Sequence, residues 1–189
     1  MTIYDKGLLR AMKAAYKDSG YVVAVTDDSV IIQTTFWGVE IVKAAVPNSI
    51  KGLIVVHNGE MPRQDTAVNI QKSECSSVIL ETALATMDEL AKKFTANGGI
   101  PIKPTRLTFD GKRVWQLAEK LDVRLVDVDN QQILMTSYGE KVDARLLGNA
   151  IYARLPYGSL FVRTESPVHE DKPLLQHLSQ MQWIAVELE

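Results

Sequence analysis

Acidic side chains grouped with a lysine are what bring this sequence nearest to a reaction. Asp27 and Asp28, followed by Glu40 and Lys43, are the residue types of metal-dependent nucleases, in which carboxylates hold Mg²⁺ and a lysine orients water. The spacing works against that chemistry. A strand alternates its side chains, so Glu40 and Lys43, three positions apart, point to opposite faces, whereas the nuclease pair stands two apart and shares one. Asp127 and Asp129 do share a face, and Glu140 or Asp143 could join them. Asp is also an ordinary hairpin-turn residue. No catalytic, cofactor-binding or metal residue is therefore assigned, and a metal-dependent nuclease is the enzymatic alternative.

The other reactive groups are sparse. His169 and His177, with Glu170 and Asp171 beside the first, match none of the spacings that metal geometry favours, and a solvated loop is expected there. Cys75 lies among Ser73, Ser76 and Ser77 with no partner base to lower its pKa. Phosphate-cradling, dinucleotide-binding and nucleophile-elbow motifs are absent, and Gly98-Gly99 follows a helix, where a cap explains it.

Cations carry the pointed reading. Lys6, Arg10, Lys13 and Lys17 recur at intervals of four, three and four, stacking along one stripe of a helix whose other face carries Leu8, Met12 and Tyr16. Such a row fits nucleic-acid phosphates, which are met electrostatically and without regard to base sequence. A second basic cluster, Lys103, Arg106, Lys112, Arg113, Lys120 and Arg124, surrounds the predicted equivalent helix of the second half; Lys112 and Arg113 are taken from it as further phosphate contacts. The aromatic residues Phe36, Trp37 and Tyr138 would stack on bases only if exposed beside cations.

The elements that must position these groups can be read in order. Residues 3–18 and 77–94 have helical spacing, the first stopped by Ser19-Gly20, the second by Asn97-Gly98-Gly99. Segments 21–26 and 30–36, rich in β-branched residues and joined by Asp27-Asp28-Ser29, predict a hairpin. Residues 38–46 alternate as a strand, 52–57 predict a short apolar strand closed by Asn58-Gly59, and 67–70 a further strand. Pro101 and Pro104 each remove a backbone donor, which predicts a linker at 100–105. Beyond it come strand 106–109, helix 113–120, hairpin 123–137, a strand or helix at 142–147, strand 160–163, helix 173–181 and terminal strand 183–188.

The second half echoes the first. A constant offset pairs Asp27 with Asp129, Ile31 with Ile133, Thr34 with Thr136 and Phe36 with Tyr138; after one dropped residue Asn48 pairs with Asn149 and Ile50 with Ile151. The expected fold class is α+β, an internal duplication of a helix followed by an antiparallel β-meander, with the two halves packed together. The expected domains are a first repeat over 1–99, a linker over 100–105 and a second repeat over 106–189. This order of elements, with basic helices on an otherwise acidic chain, resembles the plan of DNA sliding clamps, in which sheets form an outer wall around helices that line a basic hole. The resemblance is one of plan and carries over no functional residue. It implies a non-catalytic, oligomeric, nucleic-acid-associated protein.

Composition sets the outer bounds. The 189 residues are 46% hydrophobic, enough for a sizeable core, and the net charge of -2 excludes a strongly basic whole-chain footprint while allowing a local basic face. One cysteine excludes an internal disulfide framework, and no apolar run approaches the ~18 residues of a membrane span. A cytoplasmic protein with no membrane partner is expected. The functional expectation is a self-associating binding or scaffolding protein with a nucleic-acid surface, the alternatives being a small-molecule or partner-protein binding module and the nuclease.

Overall fold

A computed structural model describes residues 5–117, 122–127, 130 and 143–186. The protein is α+β. Among the described residues eleven antiparallel strands form one sheet in the order β5-β4-β1-β2-β3-β11-β10-β9-β6-β7-β8. In chain order they are β1 Tyr21–Val25, β2 Ser29–Gln33, β3 Trp37–Val42, β4 Thr66–Ile70, β5 Cys75–Val78, β6 Ile100–Phe109, β7 Lys112–Leu117, β8 Val123–Asp127, β9 Asp143–Leu147, β10 Ala150–Leu155 and β11 Gly158–Arg163. The described helices are α1 Asp5–Lys17, α2 Asn48–Asn58, α3 Leu80–Asn97 and α4 Lys172–Val186.

Two three-stranded meanders, β1-β2-β3 and β9-β10-β11, meet where the last strand of each pairs antiparallel with the other, Gly38 opposite Phe161. Equivalent strands thus lie symmetrically about that seam, which is the geometry a duplicated unit adopts when its copies join edge to edge. The copies differ from those that the sequence offset pairs. The second meander begins at Asp143, and Ile151 sits on β10 whereas Ile50 sits on α2. Ile133, Thr136 and Tyr138 lie outside the described residues.

Both faces of the sheet are covered. Alternation along β1 to β3 sends Val23, Val25, Val30, Ile32, Val39 and Ile41 to one face, where Leu8 and Met12 of α1 and Ile50 and Ile54 of α2 complete the largest core cluster. Ala24, Ile31, Tyr152 and Phe161 point the other way, under Ala83, Met87 and Leu90 of α3. At the far end Leu175 of α4 packs on Val114, Val123 and Leu125. Lys172 and Arg124 both reach Asp122, at 2.8 and 3.0 Å, which ties α4 to the start of β8. Gly98 closes α3 in the left-handed conformation, its N–H donating to the Phe94 carbonyl at 3.1 Å.

Several expected elements differ. Residues 52–57 belong to α2: Ile50 and Ile54, four apart, are fully buried while Val56 is exposed, so the burial is helical although the run is continuously apolar. The helix expected over 113–120 is β7, which pairs with β6 and β8 and alternates Val114 and Trp115 into different clusters. Residues 100–105 are the first part of β6; the strand changes partner from β9 at Pro101 to β7 at Ile102, and its register breaks between Pro104 and Thr108, so the missing donors fall at irregular places. The strand expected over 183–188 is α4 through Val186.

Candidate nucleic-acid interface

α1 fixes the position of its four cations through the residues between them. Leu8 and Met12 are wholly buried against the sheet, so Lys6, Arg10, Lys13 and Lys17 are held on the outer side, and all four are exposed. The structure brings the expected stripe together. Beside it runs a cleft of about 360 Å³, between α1 and the turn joining β2 to β3, lined by Arg10, Ala14, Ser19, Thr34 and Phe36 among others. Phe36 is 58% exposed, whereas Trp37 next to it is 3% exposed and part of the core. One aromatic ring therefore meets the condition for stacking, exposure beside a cation, and its neighbour does not.

The end of α1 is anchored by a histidine that the sequence did not single out. His57, in the last turn of α2, stacks on Tyr16 with ring centroids 3.7 Å apart and planes 6° from parallel, and its Nδ1 lies 2.9 Å from the Tyr21 hydroxyl. Burial, with the Lys13 charge adding to it, pushes the His57 pKa below its ordinary 6.5. Burial pushes the Tyr21 phenol up, with Cys75 and Tyr16 contributing. The Cys75 thiol donates to the His57 carbonyl at 3.8 Å. The signal available in the sequence was weak, a histidine at a helix end.

Lys112 and Arg113 stand on β7, not on a helix. Neighbours on a strand face opposite ways. Arg113 shares its face with Trp115 and donates to the Thr105 carbonyl at 3.0 Å. Lys112 pairs with Glu165 at 2.5 Å, and that hydrogen bond raises its pKa.

The carboxylates are dispersed. Asp27 accepts from the Gln64 amide, whose oxygen accepts from Lys43 at 3.4 Å. Lys43 has left β3 for a short 3-10 turn, Lys43–Ala45. Glu40 faces α3's side of the sheet, where Ser159 donates to it at 2.9 Å. Asp127 and Asp143 are on β8 and β9, with β6 and β7 between them, and Asp143 is taken up by Arg145 at 2.8 Å. Asp129 and Glu140 lie outside the described residues. Among the described residues no three His, Cys, Asp or Glu side chains are grouped to hold a metal ion. His169 precedes α4 and His177 lies on it, both exposed. No described helix is long and apolar enough to cross a membrane.

No protein-family model matches the sequence, and no curated protein does. Solved structures similar to the chain are DNA polymerase III β subunits. That of Thermotoga maritima is 13% identical with a TM-score of 0.37, the match covering 89% of this chain and 64% of that one. A sliding clamp from Bartonella birtlesii is 10% identical with a TM-score of 0.34, covering 92% of this chain and 66% of that one. A putative β subunit from Eubacterium rectale is 10% identical with a TM-score of 0.34, covering 87% and 64%. The chain spans less than two thirds of the length of each.

Proposed function

We propose that the protein is a non-catalytic, self-associating binding or scaffolding protein, clamp-like in plan, whose α1 surface associates with nucleic acid. The observation that carries this is the exposed row Lys6, Arg10, Lys13 and Lys17 on a helix whose opposite face is sealed in the core. Phosphate contacts from such a row are long-range and sequence-independent. Phe36, at the cleft beside Arg10, adds a ring on which an unstacked base could lie, so single strands should be favoured over duplex. Lys112 and Arg113 are secondary contacts, on different faces of β7. The repeats over 1–99 and 106–189 are retained as the proposed organisation. Self-association would use β5, an edge strand of the sheet whose Cys75, Ser76 and Ser77 are exposed.

The test is fluorescence anisotropy with labelled single strand and duplex against wild type and a variant with Lys6, Arg10, Lys13 and Lys17 changed to Glu. Reversal of the stripe should abolish binding while circular dichroism and Tm stay near wild type, because the buried face of α1 is untouched. Equal binding by the variant would leave the stripe as a solvated face.

A further inference from the structure

The cleft beside α1 carries opposite charges on one wall. Among its described lining residues Arg10 and Asp18 alone are charged. Roughly 12 Å of helix rise separates them, about the reach of one nucleotide from its phosphate to the far edge of its base. Ala11, Ala14 and Ala15 line the cleft between them as a floor of small apolar side chains, and Phe36 lines it from the turn between β2 and β3. That turn is pinned: Thr34 Oγ1 accepts from the Phe36 and Trp37 N–H groups at 3.1 and 3.2 Å, and the Phe36 carbonyl accepts from the Arg163 N–H at 2.7 Å. Because Val22 pairs with Gln33, the chain that enters β1 from Asp18 runs beside the same turn.

Asp18 is the residue that a phosphate-binding surface alone does not explain. It follows Lys17, the last residue of α1, so its carboxylate stands at the partially negative end of the helix, where a cation is the favoured neighbour. It also stands beside the cationic row, where it repels the phosphates that the row attracts. Its backbone is fixed, the N–H donating to the Ala15 carbonyl at 3.0 Å and the carbonyl accepting from Gln71 Nε2 at 2.8 Å. Asp18 is exposed, and its carboxylate takes no hydrogen bond or ion pair among the described residues. A carboxylate set against both local rules marks a functional position, and it gains from a ligand that brings N–H donors to it.

The bases differ in what they bring. Guanine presents two adjacent donors, N1–H and the N2 amino group, which match the two oxygens of a carboxylate as the fork of a guanidinium does. Adenine and cytosine place a ring acceptor beside their amino group, and uracil and thymine flank one N–H with two carbonyl oxygens, so each sets a lone pair against the carboxylate. We propose that this cleft takes one guanine base of a single strand, stacked on Phe36 over the alanines of α1, its N1–H and N2–H donating to the Asp18 carboxylate and its phosphate meeting Arg10. The proposal rests on the reading of α1 as a nucleic-acid surface and adds a base preference to it: the row of cations reads charge, and Asp18 reads the base edge. Arg10 carries five N–H donors, so a phosphate can share it with another partner.

The experiment is fluorescence anisotropy of the full chain with labelled short thymidine strands that carry guanine, hypoxanthine, adenine, cytosine or thymine at the central position. The guanine strand should bind about tenfold tighter than the thymine strand, with hypoxanthine, which lacks the N2 amino group, between them. Asp18→Asn should bring the guanine strand down to the level of the thymine strand, whose own binding rises slightly as a repelling charge is lost. A merely structural role for Asp18 would not move the two strands in opposite directions. Ala14→Leu, at an exposed helix position, fills the cleft and should remove the preference with Tm retained. Ribose strands of the same sequences distinguish RNA from DNA as the source of the guanine, the tighter set naming it. Equal binding of all the strands by wild type, or a guanine preference that Asp18→Asn or Ala14→Leu retains, would overturn the proposal and leave the α1 reading in place. No binding of any strand by wild type would overturn both, so the two fail separately.

Discussion

Phe161 is the register partner of Gly38 across the seam where the two meanders join, and its ring occupies the space that a side chain at 38 would need. Gln33 crowds the same position from the other side. Gly38→Ala should therefore destabilise by about 1–3 kcal/mol, the usual cost of forcing an extra carbon into a filled site. Chemical denaturation gives the value. A smaller companion loss is expected in Phe161→Leu,Gly38→Ala, where the ring no longer competes.

The seam should be as demanding on both sides. Ile32 in β2 and Ile151 in β10 are each fully buried in the α1 and α2 cluster. Truncation of either to Ala should cost about 2–5 kcal/mol. A loss below 1 kcal/mol at Ile151 alone, read from urea midpoints, would mean that the second meander is not part of the same cooperative core.

Acid should loosen the join between α1 and α2. His57 is held neutral in the folded protein, its pKa pushed below 6.5 by burial and by Lys13. The contribution is complete above pH 6.5 and is lost as the pH falls from there through the lowered folded value, because the unfolded chain takes up the proton first. Tm should fall over that window in wild type. In His57→Gln, which cannot titrate, the fall should be smaller, as scanning fluorimetry from pH 7.5 to about 5 would show.

Phe36→Ala should separate stacking from charge. Loss of one stacked base is worth about 1–3 kcal/mol, so single-strand affinity should drop while duplex affinity stays constant. The salt dependence should be unchanged, since a row of four cations gives a log–log slope of about -3.6 on duplex regardless of the ring. Equal losses on both substrates would place Phe36 outside the contact.

The sequence exposed the parts of this fold whose periodicity is unmixed. β1 and β2 alternate around a turn-forming Asp27-Asp28, and α1 and α3 have apolar residues at intervals of three and four. It misled where composition and periodicity disagree. The run 52–57 is apolar throughout, so Ile54 and Val56 look alike although one is buried and the other not. β7 carries Trp, Gln and Leu, which suit a helix as well as a strand, and only pairing with both neighbours decides. Of the candidate interface, the cations of α1 were legible because one helix carries them all. Phe36 met the condition for stacking only once its exposure beside Arg10 was known.

The two ends of the sheet are not alike. β8, at one end, is bridged from outside by Glu165, whose N–H and carbonyl both engage Leu125 at 2.9 and 2.8 Å, while β5, at the other, leaves Cys75 to Ser77 bare among the described residues. A chain with two bare margins could add copies without end. If copies join through β5 alone, as proposed, the joint uses up that margin in both molecules and stops at two. Edge pairing, on this arrangement, counts copies: a twofold pair is the largest assembly it can build, and neither filament nor larger ring follows from it.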